Sequence, residues 1–131
     1  AASAASAGTM NMRVFFANAK LAPADACASV FSVTRSVPRT TSVARAALTE
    51  LLNGVGSSEI ADGYVSDIAP GTELRSLKLE NGVLHADFSK SLTDGVSDAC
   101  RATAIRAQIE STAKQFPTVK EVVLSVDGKT L

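Results

Sequence analysis

The chain has no tryptophan, one tyrosine and five phenylalanines among its 131 residues. So few aromatic faces leave little from which to build a stacking platform for sugar rings. Net charge is missing as well, because thirteen basic side chains are balanced by thirteen acidic ones. That balance removes the overall electrostatic case for nucleic acid or for an anionic membrane surface as partner. The single histidine, His85, and the two cysteines, Cys27 and Cys100, lie far apart in the chain, so the paired spacing of a zinc site is absent. No apolar run reaches the roughly 18 to 20 residues needed to cross a bilayer. The opening residues also lack the charged and apolar regions of a signal peptide.

What is present is apolar material, 46% of residues, enough for one core in a chain of single-domain length. The opening AASAASAG is low-complexity and reads as a linker remnant, an expression scar or the stub of a processed anchor. Residues 1–11 are accordingly assigned to a flexible leading segment and residues 12–131 to one domain.

Along that domain the pattern alternates between the periods of strands and helices. Met12 to Asn18 (MRVFFAN) predicts a first strand, followed by a loop marked by Pro23 and Asp25. Val30 to Val37 predicts a second strand that stops at Pro38. In TTSVARAALTELLNG, Thr40 or Thr41 is the expected N-cap of a helix and Gly54 lies just past its end. Val43, Ala44, Ala47, Leu48, Leu51 and Leu52 form its apolar face. SSEIADGY predicts a short helical turn. LRSLKLE and VLHADF flank Asn81-Gly82, a dipeptide that favours a type I′ hairpin turn. A long helix follows Asp98, with Ala102, Ile105, Ile109 and Phe116 at helical spacing and Arg106, Glu110 and Lys114 as a charge ladder. Pro117 stops that helix, and Val122, Leu124 and Val126 then alternate with Glu121, Val123 and Ser125 as in a half-buried strand. The order ββα-ββαβ predicts an α+β fold, a mainly antiparallel sheet with two helices packed on one face.

Chemistry is harder to find in these residues. Bridged, Cys27 and Cys100 would close a long loop, stabilise the fold by roughly 4 kcal/mol and imply an oxidising compartment. Unbridged, they read as small buried hydrophobes. His85, Asp87 and Ser89 share one side of a strand by alternation, which leaves a small hydrolase as a third functional reading. Asp87, Asp94 and Asp98 fall around a strand end and a helix start, where capping accounts for them. Gly54-Val55-Gly56-Ser57-Ser58 looks like a phosphate loop but lacks the lysine and the preceding strand, so it reads as a turn. Arg35, Arg39, Arg45, Arg101 and Arg106 are the candidate binding set, for a partner's carboxylate or for an anion. Solvated faces and local ion pairs are the plainer account of the same five. No catalytic residue, metal ligand or cofactor is assigned.

Three segments together resemble a known family: CASVFSVTRSVPRTTSVARAALTELLNG, GYVSDIAPGTELRSLKLENGVLHADFS and CRATAIRAQIESTAKQFPTVKEVVLSVDG. In this order VARAALTELLNG, PGT, LENGV, DFS, AIRAQI and QFPTV are similar to the GerMN domain of sporulation and spore germination proteins, over about Arg13 to Gly128. The family often has proline after the first helix, whereas this chain reads NGVGSSE. The resemblance implies a fold similar to the ring-building modules of envelope and secretion assemblies. It implies a noncatalytic, extracytoplasmic domain that binds an envelope protein or itself, held at the outer face of the cytoplasmic membrane through an N-terminal, lipoprotein-type anchor absent from this chain. It further implies a Cys27–Cys100 bridge, Gly82 as the hairpin turn and Pro117 as the helix stop. A ligand-binding module for cell-wall glycan or an anion is the alternative reading.

Overall fold

The computed structural model describes residues 8–23 and 26–131. Residues 1–7 of the expected leading segment, and the loop marker Asp25, lie outside the described residues. In chain order the elements are β1 (Thr9–Asn18), β2 (Phe31–Pro38), α1 (Val43–Asn53), α2 (Ser57–Ala61), β3 (Tyr64–Val65), β4 (Leu74–Glu80), β5 (Val83–Phe88), a 3₁₀ turn (Lys90–Leu92), α3 (Ala99–Lys114), β6 (Glu121–Val126) and β7 (Lys129–Thr130). Strand β1 begins at Thr9, so residues 9–11 belong to the first strand and not to the leading segment.

The α+β class holds, with the sheet divided in two. One sheet has the order β2-β1-β3 and is antiparallel throughout. The other has the order β4-β5-β6-β7, in which β5 and β6 run parallel. The parallel pair follows from connectivity, because the chain leaves β5, crosses over through α3 and re-enters in the same direction. The two outer joints of that sheet are two-residue hairpins. Asn81-Gly82 has φ of 52° and 82°, and Asp127-Gly128 has 49° and 83°. Both fit the I′ turn, whose positive φ values match the twist of the flanking strands. The second turn carries the same kind of Asp-Gly signal in the sequence.

Both long helices touch both sheets: α1 meets β1 and β4, α3 meets β1 and β6, and the two helices pack on each other. One buried cluster therefore spans the molecule, from Val14 and Phe16 on β1 through Leu48, Leu51, Ile105 and Ile109 on the helices to Leu84, Phe88 and Leu124 on the second sheet. Each such side chain contributes about 1.5–3 kcal/mol of burial. Strand β6 shows the expected alternation, with Val122, Leu124 and Val126 buried. Two local expectations are corrected. The N-cap position of α1 is Ser42, not Thr40 or Thr41, and its side chain makes no capping bond; Thr40 Oγ1 instead accepts the Ser42 N–H at 3.0 Å. Ala102 is exposed, and the inner face of α3 is Ala104, Ile105, Gln108, Ile109, Thr112 and Ala113.

That inner face is partly polar for a structural reason. Sheet one lacks a neighbour beside the middle of β1, since β3 pairs only with Ala17 and Asn18. Side chains of α3 take the place of a strand there. Thr112 Oγ1 accepts the Phe15 N–H at 3.1 Å, and Gln115 accepts the Arg13 N–H at 2.9 Å and donates to the Arg13 carbonyl at 2.5 Å. A partly exposed strand edge is thus satisfied by Thr112 of α3 and by Gln115 just past its end.

Candidate functional site

Cys27 and Cys100 form a disulfide with Cα atoms 5.1 Å apart, closing a loop of 73 residues. The bridge fastens the β1–β2 connection to the first turn of α3, beside Asp98, whose carboxylate caps the helix by accepting the Cys100 N–H at 2.9 Å. A cavity of about 340 Å³ adjoins it, lined in part by Cys27, Asp67, Asp98, Cys100 and Arg101.

Arg35 is the most heavily engaged of the five candidate arginines. It projects from β2 and grips the Glu59 carboxylate with both terminal nitrogens, the Nη2–Oε1 contact being 2.6 Å. Arg35 also reaches the Gly54 carbonyl at 3.3 Å and Glu50 at 3.9 Å, and its guanidinium lies 5.9 Å from the Phe16 ring centre. Glu59 in turn accepts the Gly56 N–H at 2.8 Å. The Arg35 hydrogen bond holds the Glu59 carboxyl below its usual range, and the same bond raises the Arg35 guanidinium. The turn reading holds for Gly54 to Gly56, which this chain's own ion pair engages at the Gly54 carbonyl and the Gly56 N–H, while Ser57 and Ser58 open α2.

The other arginines are dispersed. Arg39 donates to the Thr9 carbonyl at 3.0 Å, and Arg101 donates through Nε to the Asp67 carbonyl at 3.2 Å. Arg106 pairs with Glu110 at 3.2 Å, and Lys114 completes the expected ladder at 3.8 Å. Arg45, Arg101 and Arg106 line three different cavities. The structure does not bring the five together.

Asp87 and Ser89 are likewise engaged separately. Asp87 Oδ1 accepts from the Ser125 hydroxyl at 2.7 Å and from the Gly128 N–H at 2.8 Å, and these two contacts hold its carboxyl below the usual range. Its work is to fasten the β6–β7 hairpin, which corrects the expectation that it caps an element. The Ser89 Oγ accepts the Glu73 N–H at 2.9 Å. His85 is exposed on the outer face of β5, between Lys78 and Val123 on the neighbouring strands. Among the described residues, no group of three or more His, Cys, Asp or Glu could hold a metal ion.

Two polar residues that the sequence reading passed over organise the interior. Asn18 is buried; its Oδ1 accepts the Lys20 and Leu21 N–H groups at 2.8 and 3.2 Å, and its Nδ2 donates to the Asp62 carbonyl. Gln108, fully buried, donates to Asp67 Oδ2 at 2.8 Å, while its Oε1 has no partner among the described residues. An Asn closing a strand ahead of a Lys-Leu pair is a turn signal of the Asx kind. No comparable sequence signal marks Gln108.

What the molecule leaves uncommitted is surface. Leu79 on β4, Ile60 on α2 and Val65 on β3 are exposed. Strand β4 ends the second sheet and β2 ends the first.

Fold and surface together define a class: a disulfide-stapled α+β domain whose polar side chains mostly hold turns, caps and strand edges. The chain belongs to the Germane family, described as sporulation and spore germination, whose profile matches residues 13–131. It is thus a sporulation-related domain of GerMN type, and such domains are not known as enzymes. Tandem GerMN domains of the sporulation protein GerM from Bacillus subtilis share the fold with a TM-score of 0.72 and 22% identity, over 94% of this chain and 41% of that one. The first GerMN domain of the same protein gives a TM-score of 0.71 and 19% identity, over 93% and 86% of the two chains. A protein designated a candidate lipoprotein from Clostridium perfringens gives 0.58 and 14%, over 94% and 78%. No match was found among curated protein sequences. Among the described residues, no helix is long and apolar enough to cross a membrane.

Proposed function

We propose that this chain is a noncatalytic recognition domain of the bacterial cell envelope, acting outside the cytoplasmic membrane by binding a protein partner or another copy of itself. The observation that carries this reading is the division of labour among its polar groups. Asp87, Ser89, Arg35 and Arg101 are engaged within the fold, while strand edges and the apolar side chains of Leu79, Ile60 and Val65 face outward. Open edges and exposed apolar residues are the usual means of strand addition and docking.

The envelope location is supported by the disulfide, which forms and persists in oxidising compartments. The relatives agree with it, one being a sporulation protein and another designated a lipoprotein. Attachment to the outer face of the membrane would come from a segment preceding this domain.

The test is the native size of the full-length protein in a mild extract of its own cells, together with its distribution between membrane and soluble fractions. An envelope fraction in which the protein runs well above its monomer mass is the expected result. A monomer in the cytoplasmic fraction would sink the reading.

A further inference from the structure

The outward side of β4 carries its own instructions for pairing. Residues flanking a two-residue hairpin turn exchange hydrogen bonds. Glu80, opposite Val83, and Lys78, opposite His85, therefore aim their backbone groups at β5. Leu77 and Leu79 aim theirs away from the sheet. Leu79 is also 44% exposed. On the other face of the strand, Lys78 and Glu80 form an ion pair at 2.5 Å while remaining 73% and 52% exposed.

We propose that this edge pairs with the same edge of a second copy of the chain, antiparallel, about a two-fold axis between the two Leu79 residues. In that register each Leu79 N–H donates to the Leu79 carbonyl of the second copy, and the two exposed leucine side chains meet. Lys78 falls opposite Glu80 of the second copy, and Glu80 opposite Lys78. Each intrachain pair is kept, and the four charges close into an alternating ring.

Charge selects this register over its neighbours. One step away, Lys78 faces Lys78. A further step puts Glu80 opposite Leu74, forfeits every charge pair and runs into the bulge between Leu74 and Ser76. The opposite rim of the sheet is β7, only two residues long. The assembly therefore closes as a dimer with one continuous sheet, as two-fold contacts do. The other long edge, β2, ends in Pro38, and its one charged residue, Arg35, is held by Glu59. It offers nothing to fix a register.

This inference rests on the recognition reading and names a partner for it. The test is sedimentation equilibrium on the 131-residue chain and on Lys78→Glu, Glu80→Lys and the double exchange K78E/E80K, with circular dichroism to verify folding. A short edge contact of this kind predicts a reversible dimer with a dissociation constant on the order of 100 μM. Each single variant weakens it by about tenfold or more, because like charges then face each other. An equimolar mixture of the two single variants associates again, since acid faces base at both positions, and the double exchange restores the homodimer. A wild-type chain that stays monomeric up to about 1 mM, or single variants that dimerise like wild type, overturns the proposal. If the full-length protein nonetheless runs as a larger envelope species, this edge is wrong and the recognition reading stands.

Discussion

At the scale of residues, a few polar side chains do work that apolar patterning does not reveal. Glu59 was one undistinguished acid in SSEIADGY, yet it joins β2 to the loop after α1 through Arg35 and Gly56. Glu59→Gln is expected to cost about 1–2 kcal/mol, measured by urea unfolding at neutral pH. The pH dependence has a definite sign. Because the folded Glu59 carboxyl lies below its ordinary value of 4.5, the pair's contribution is complete above that pH and is lost as pH falls through the folded value. Wild type should therefore lose stability below about pH 4.5 more steeply than Glu59→Gln, and parallel curves would contradict the assignment. Thr112 and Gln115 act in the same hidden way on the edge of β1. Thr112→Val should cost about 1–2 kcal/mol and speed hydrogen exchange at the Phe15 amide, which loses the Thr112 hydroxyl as acceptor. These roles were illegible beforehand, because each depends on residues about a hundred positions away or on loops whose path follows no period.

At the scale of elements, periodicity and turn chemistry served well where they were strong. The apolar stripe of α1, the Asn81-Gly82 hairpin, the charge ladder of α3 and the alternation of β6 all stand where the pattern put them. Strand β3 has two residues, too few to carry a pattern. Ala102 misled because alanine suits either side of a helix. Gly82 shows what the turn demands: its φ is 82°, and an added Cβ would sit 3.3 Å from the Lys120 side chain. Gly82→Ala is expected to destabilise by about 1–2 kcal/mol in thermal or denaturant unfolding. The disulfide joins the β1–β2 connection to the start of α3. Replacing both cysteines by serine should cost about 3–4 kcal/mol, with exchange protection falling most around residues 26–30 and the first turn of α3.

At the scale of the whole molecule, the α+β class was legible and the division into two sheets was not. Strand order depends on which edges meet in space, and here the edge of β1 beyond β3 is met by Thr112 of α3 and by Gln115 rather than by a strand of the second sheet. The same limit applies to the candidate site. The sequence could nominate five arginines and a His85, Asp87, Ser89 face, but only the fold shows that the arginines are dispersed and that Asp87 and Ser89 are already engaged. What emerges is a domain whose free capacity lies in its outer edges and apolar side chains. The most direct measurement is photocrosslinking in living cells, with a crosslinking amino acid placed singly at Leu79, Ile60 and Val65 of the full-length protein and at buried Leu84 as control. A discrete protein adduct from at least one exposed position, and none from Leu84, is the predicted result. No adduct from any exposed position, together with substrate turnover by the purified protein that His85→Ala abolishes, would contradict the account.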